Sequence, residues 1–470
     1  MEVEGRLRAG TGLAEAGGVS AAGPRLRLLG IDALESLPGL RRLSADHRRA
    51  MQVVAHVLPF RANNYVVDEL IDWSDIPSDP IFQLTFPQPG MLEPGHHRLM
   101  SEALAVGDRN AIAAAADRIR RELNPHPGGQ LTHNVPALDD EPVPGVQHKY
   151  RETCLVFPAA GQTCHAYCSF CFRWSQFVGM KDMRFATDRG MRFRNYLRAH
   201  PEVTDVLLTG GDPMVMSADV LARYVEPLLE PGLEHVQSIR IGTKALAYWP
   251  YRFVTDPDAD ALMRLFERVA AAGRHLAVMA HFEHWRELST PAVEAAIARL
   301  RSVGAVIRTQ APLVRHVNDD PAVWARMWQD QVRLGLVPYY MFVERDTGAS
   351  RYFALPLHRA LTIHRRATGM VSGLARTARG PVMSTHPGKV VVDGVMEVAD
   401  AAFFVLSFLQ ARHPDWCRRP FLADFDPQAL WLSDLRPALG ADRFFFEDER
   451  HEHGAPVVRT RRGRRQAVGS

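Results

Sequence analysis

Between about Tyr150 and Val343 the chain alternates short apolar runs with stretches of helical periodicity, and nothing else in the sequence constrains the fold as strongly. The runs are residues 154–157, 205–208, 238–241, 276–280, 306–309 and 339–343. They are too short for buried helices, and helical patterns such as residues 291–303 and 323–334 separate them. Strands that alternate with helices pair in parallel through right-handed crossovers. The expected fold is therefore α/β, with six units forming a partial (βα)6 barrel. Sites in parallel βα folds gather at the C-terminal ends of the strands.

The flanks read differently. Residues 1–25, rich in Ala, Gly and Glu, read as a flexible N-terminus. Residues 26–145 read as an N-terminal helical region, with apolar residues recurring at three- and four-residue steps, as from Met100 to Ile119. The prolines of residues 72–82 forbid a continuous helix there. The barrel is assigned to residues 146–392, and residues 388–394 read as a strand entering a turn. Residues 393–456 read as a short C-terminal extension, aromatic-rich from Phe403 to Phe446, serving as a lid or packing segment. Residues 457–470, with the run Arg459 to Arg465, read as a basic, disordered tail.

Composition excludes several classes. A formal net charge of +3 gives no argument for nucleic acid as a partner. No stretch approaches the ~20 apolar residues of a membrane helix. The N-terminus carries acids and glycines where a signal peptide has an apolar core. The expectation is a soluble cytoplasmic protein without a membrane partner. Its five cysteines agree with a reducing compartment, because three of them crowd into one short segment.

Those three are Cys164, Cys168 and Cys171, spaced C-x3-C-x2-C in the loop after the first expected strand. Three thiolates on one tight loop can hold three corners of a [4Fe-4S] cube. The fourth iron then keeps an open position that S-adenosyl-L-methionine (SAM) can fill with its amino and carboxylate groups. Phe170, just before the last cysteine, would shield the cluster. A structural zinc wants four ligands, and His165 could serve as the fourth only with crowding.

The spacing resembles radical SAM enzymes, and the wider context resembles their lysine 2,3-aminomutase family. The resembling pieces run in order from about Asp72 to Val392. They include residues 79–82, 142–150, the cysteine loop, 208–212, 241–244, 281–284, 315–319, 338–340, 372–373 and 387–389.

The resemblance implies three cofactors: the [4Fe-4S] cluster, SAM and pyridoxal 5′-phosphate (PLP). It implies that Thr209, Gly210, Gly211 and Asp212 bind the SAM amino group. It implies that Lys389 is the catalytic lysine that forms an imine with PLP, although residues 384–388 replace the family's glycine-rich approach. Arg173 matches the arginine that grips the substrate carboxylate, a task suited to a bidentate guanidinium. Lys149 matches one of two phosphate-binding arginines, while the other is replaced near Thr153 and Cys154. The implied reaction moves an amino group between C2 and C3 of an amino acid.

Lysine-specific members bind the distal ammonium with two aspartates. A gap-free match places Arg345 at the first position and Val382 at the second. A cation and an apolar group would not hold an ammonium, so an acidic or neutral substrate is expected over lysine. Glu344 and Asp346 flank Arg345, and a slip of one residue would restore an acid. Only Cys417 lies where relatives can carry zinc-binding cysteines, so no zinc is expected, and Cys154 and Cys417 are read as packing residues. The implied partners are a small amino acid, an electron donor such as a flavodoxin or ferredoxin, and a second copy in a homo-oligomer. The alternatives are a lysine-type enzyme acting on free or protein-destined lysine, a PLP-independent radical SAM enzyme, and a non-enzymatic iron–sulfur protein.

Overall fold

A computed structural model describes residues 23–127, 131–188 and 190–447. The expectations for the first residues and for the basic tail lie outside the described residues.

The N-terminal part is helical. Its longer helices are α1 (Ala45–Val57), α2 (Pro94–Val106) and α3 (Arg109–Glu122). Ser44 and Asp108 cap α1 and α3, accepting from the N–H groups of His47 and Ala111 at 3.1 and 2.9 Å. The expected periodic stretch from Met100 to Ile119 is in fact two helices. Gly107, at φ +77°, ends the first in a left-handed C-cap, and Asp108 starts the second.

Eleven strands form one sheet. In chain order they are β1 (Val146–Tyr150), β2 (Thr153–Val156), β3 (Asp205–Leu208), β4 (Ser238–Thr243), β5 (His275–His281), β6 (Val306–Leu313), β7 (Val337–Val343), β8 (Arg379–Ser384), β9 (Gly388–Val398), β10 (Ala401–Ala411) and β11 (Pro420–Asp424). Each pairs with its sequence neighbours. Strands β2 to β8 run parallel, while β1 and β9 to β11 pair antiparallel at the two sides. The helices between the parallel strands are α4 (Gly190–Ala199), α5 (Ala218–Val225), α6 (Ala259–Ala271), α7 (Pro291–Ser302), α8 (Pro321–Arg333) and α9 (Leu357–Gly369). The α/β class and all six expected strands are present.

Two elements depart from the expectation. A seventh parallel strand, β8, lies in residues whose glycine and proline disguise it. Residues beyond 392 do not form a short appendage: β9 runs through that position and turns into β10, and β11 follows. This wing buries its own aromatic core, with Phe404, Phe408, Trp416, Phe421 and Phe446 in contact.

Burial alternates strictly along β4 and β6, with every second residue fully buried. One face packs on the helices, and the other carries half-buried polar residues such as Arg240, Arg308 and Gln310. The sheet also curls. Lys149 on β1 reaches across it, and its Nζ donates to Ser384 Oγ on β8 at 2.9 Å. The polar face is thereby turned inward.

The helical region and the sheet share one continuous apolar core. The contact extends to backbone: Tyr167 N–H donates to Arg61 O at 2.8 Å and Ser169 N–H to Leu84 O at 2.9 Å. Among the described residues no helix is long and apolar enough to cross a membrane.

Candidate functional site

The cysteine loop leaves the C-terminal end of β2. Cys164, Cys168 and Cys171 are partly buried and free of disulfides. Burial pushes their thiols up, to about 11 for Cys171 and well above the usual value for Cys164 and Cys168; Cys164 also senses Cys171 and Cys168, and Cys168 senses Cys171. Three thiols on one loop match the donor set of a cluster with one open corner. Phe170 is half-buried and stands edge-on to Phe353 at 6.2 Å. His165 is buried and driven to about pKa 3 by that burial. Its carbonyl accepts from the Asn63 side chain at 3.1 Å, which ties the loop to the helical region.

Thr209, Gly210, Gly211 and Asp212 follow β3, beside this loop. The glycines serve a close approach within the protein. A Cβ on Gly211 would stand 2.4 Å from Thr163 O and 2.5 Å from Thr163 N, one residue before Cys164. Gly210, at φ +154°, would meet the Gln162 amide in the same way. Asp212 is 2% exposed, and its N–H donates to Thr163 O at 2.7 Å. Its carboxylate accepts from Thr243 Oγ1, Lys244 N and Met214 N. Burial raises its pKa to about 6 against those hydrogen bonds. Asp212 therefore fastens the ends of β3 and β4 to the cysteine loop.

A second buried network lies under Cys168. Lys244 Nζ is held by Glu283 and, at 2.6 Å, by Glu287, so that two carboxylates keep it charged. Tyr248 Oη stands 3.4 Å from Cys168 Sγ. The sequence hinted at this group only through the two segments holding Lys244 and Glu283.

Deeper in the curled sheet the cations collect. Lys389 is the second residue of β9 and pairs in register with Ser384. Its Nζ contacts Gln410 Oε1 and lies 4.9 and 5.2 Å from the ring centres of Tyr150 and Tyr340. Burial, then Lys149, Arg240 and Arg379, hold its amine well below the ordinary lysine range. Lys149 is pushed down to about 7 by burial, Arg345 and Arg412. The Tyr150 hydroxyl is buried without a hydrogen-bond partner. A lone hydroxyl beside two lysines leaves polar capacity for an anionic, ring-bearing ligand such as PLP, so these residues fit that group.

Arg173 is 6% exposed and lies over the Phe157 ring at 4.4 Å. It donates to Gln176 Oε1 at 2.9 Å, and its Nε has no partner. Burial lowers its pKa to about 10. Arg345 stands 5.1 Å from the Phe172 ring and acts on both Arg173 and Lys149. Val382 is fully buried against Tyr340 and Val391. Of the flanking acids, Asp346 turns outward to His126 at 3.2 Å. Glu344 turns inward, 6% exposed, with Oε1 unpartnered and its pKa pushed well above the carboxylate range by burial.

The structure thus brings Cys164, Cys168, Cys171, the glycine loop, Arg173, Arg345, Lys149 and Lys389 to one interior. Cys154 is buried as expected, whereas Cys417, read as a packing residue, is exposed. Arg61, which contacts Thr163 and reaches Cys164 O at 3.3 Å, had no sequence signal. Outside this interior, the ligand atoms of His148, His200 and Glu202 fall within 4.8 Å of one another. They form a hydrogen-bond group: His148 is engaged by Tyr196 Oη and Arg151 O at 2.6 and 3.0 Å, and His200 by Glu202 at 2.8 Å.

No family model matches the chain. It is 29% identical over 396 residues to an Aquifex aeolicus protein that carries the L-lysine 2,3-aminomutase name, a match covering 84% of this chain and 92% of that one. It is 29% identical over 237 residues to the L-lysine 2,3-aminomutase of Fusobacterium nucleatum, covering 50% of this chain and 52% of the relative. It is 27% identical over 212 residues to the glutamate 2,3-aminomutase of Clostridioides difficile, covering 45% and 47%. For these last two, the chain matches about half of the relative's length.

Proposed function

We propose that the chain, similar along 84% of its length to a protein carrying the L-lysine 2,3-aminomutase name, is a radical SAM isomerase of that family that moves an amino group between C2 and C3 of an acidic or neutral amino acid. The family's cofactors are a [4Fe-4S] cluster, SAM and PLP, which supply a carbon-centred radical and a conjugated π-system when bound.

In this reading Cys164, Cys168 and Cys171 ligate three irons, and the electron comes from a flavodoxin- or ferredoxin-type donor. Residues 209–211 line the SAM site, and Asp212 orders them through its contact with Thr163. Lys389 holds PLP, and Lys149 supplies a cationic contact to it. Arg173 holds the substrate carboxylate. Its free Nε and its platform on Phe157 leave a guanidinium edge for that purpose. The chain's part in catalysis is to position these groups and keep water from them. The seven parallel strands and six helices are read as the partial barrel of this fold. The Lys149–Ser384 hydrogen bond supports that reading, since a flat sheet would hold β1 and β8 apart. The helical region then acts as a brace on the cysteine loop.

The observation that carries the substrate class is Arg345. It enters an interior that already holds Arg173, Lys149 and Lys389, while the only inward acid beside it, Glu344, is driven toward its neutral form. An ammonium would meet cations there, whereas a distal carboxylate would be paired. The test is an anaerobic assay of reconstituted protein with SAM, PLP and reductant, offering glutamate, aspartate, alanine, arginine and lysine separately. A β-amino product from glutamate or aspartate is expected. Arg345→Gln should raise KM for it by about ten- to a hundredfold, the value of a lost charged hydrogen bond. Product from lysine alone would overturn the substrate class and assign the distal group to Glu344.

A further inference from the structure

Below Lys389, at the N-terminal ends of the strands, a cavity of about 540 Å³ opens into the curled sheet. Such ends ordinarily serve stability rather than chemistry. This one is lined by Arg240, Arg308 and Arg379, together with Tyr339, Asp205 and Gln410.

The three arginines are not equivalent. Arg240 is engaged with the Asp205 carboxylate, on which Thr153 Oγ1 also sits at 3.0 Å. Arg308 and Arg379 are paired with no carboxylate among the described residues. They lie instead over the Tyr339 ring, at 5.1 and 4.3 Å from its centre. Two half-buried guanidiniums stacked on one ring, each with its hydrogen-bonding edge free, form an anion site held in place by aromatic packing.

Two contacts join this cavity to Lys389. Gln410 both lines it and accepts from Lys389 Nζ. The Tyr340 ring carries Lys389 Nζ at 5.2 Å and the Arg379 guanidinium at 4.3 Å. The amine and the arginine thus lie against the same aromatic ring, and Arg379 acts on the Lys389 amine, a proximity on the scale of a pyridoxal ring with its phosphomethyl arm. On the other side of Lys389, Lys149 offers a single charge. A phosphate monoester carries nearly two at neutral pH.

We propose that Arg379 and Arg308 bind the phosphate of a phosphorylated pyridoxal whose aldehyde end is at Lys389, so that the lower mouth of the sheet is the cofactor's phosphate site. This rests on the reading of Lys389 as the PLP lysine. It also gives position 153 a meaning. The threonine there borders the same cavity through Asp205, and the arginines come instead from β6 and β8, on the other side of the opening.

The test is titration of cofactor-free full-length protein with PLP and with pyridoxal, which lacks the phosphate, following the absorbance of the imine. Wild type, Arg379→Gln, Arg308→Gln, Lys149→Met and Lys389→Ala are compared. The expected result is that each arginine variant weakens PLP by about ten- to a hundredfold and leaves pyridoxal unchanged, the latter showing that the site is still folded. Inorganic phosphate should compete with PLP in wild type and lose that effect in the arginine variants. Arginine variants that bind PLP as wild type does would overturn the phosphate site while leaving Lys389 intact. So would a parallel loss of PLP and pyridoxal, or a PLP loss confined to Lys149→Met. No imine in wild type, or an imine that persists in Lys389→Ala, would overturn the reading of Lys389 and this site with it.

Discussion

Lys149 Nζ and Ser384 Oγ lie 2.9 Å apart although their strands are separated by six others in the sheet, and Ser384 is the register partner of Lys389. This hydrogen bond spans the curl of the sheet and places a second cation beside Lys389.

The charge of Lys149 depresses the Lys389 amine, after burial itself. A depressed amine is unprotonated, and so competent to form an imine, at a pH where a free lysine is still charged. Imine formation with PLP is therefore expected to have its midpoint well below pH 10.5. Lys149→Met removes a positive neighbour, so the midpoint should rise. A pH series of imine absorbance reads this directly. An unchanged or lower midpoint would show that the two amines are electrostatically independent.

Single replacement of Cys164, Cys168 or Cys171 by Ser should remove the cluster, seen as loss of bound iron and of visible absorbance after anaerobic reconstitution. Cys154→Ser and Cys417→Ser should leave the iron unchanged. The first of these puts a hydroxyl into a fully buried position and is expected to lower stability by about 1–3 kcal/mol. Iron loss in Cys417→Ser would contradict its exposed position.

Gly211→Ala drives a methyl group into the Thr163 backbone, which cannot move aside as a flexible side chain would. Overpacking of this kind costs about 1–3 kcal/mol. A lower melting temperature is expected together with weaker SAM binding by equilibrium dialysis. Gly394→Ala, which has open space around it, should change neither. Equal behaviour of the two variants would refute the steric account.

The parallel strands were legible because their buried halves are apolar runs bounded by helical patterns. Strand β8 was not, because Gly380 and Pro381 break the run and its pairing depends on neighbours far along the chain. The antiparallel wing was missed for a similar reason. Its aromatic residues look like a packing segment until the strands that align them are in place. The cysteine loop stood out in the sequence because all three thiols fall within one short segment. Arg61 did not, since it meets Thr163 across 102 residues and only tertiary packing brings them together. Arg308 and Arg379 belong to no motif in the sequence. Only the inward turn of their strand faces gives them a common cavity.

The contact between Gly211 and Thr163 also bears on how the protein can vary. Two loops from different strands share one backbone surface, and Asp212 bonds them together. A change in either loop therefore displaces both, so damage to the proposed SAM site is not inherited separately from damage to the proposed iron ligands. Random substitution at this seam should yield variants that have lost both cofactors at once, and few that keep one without the other.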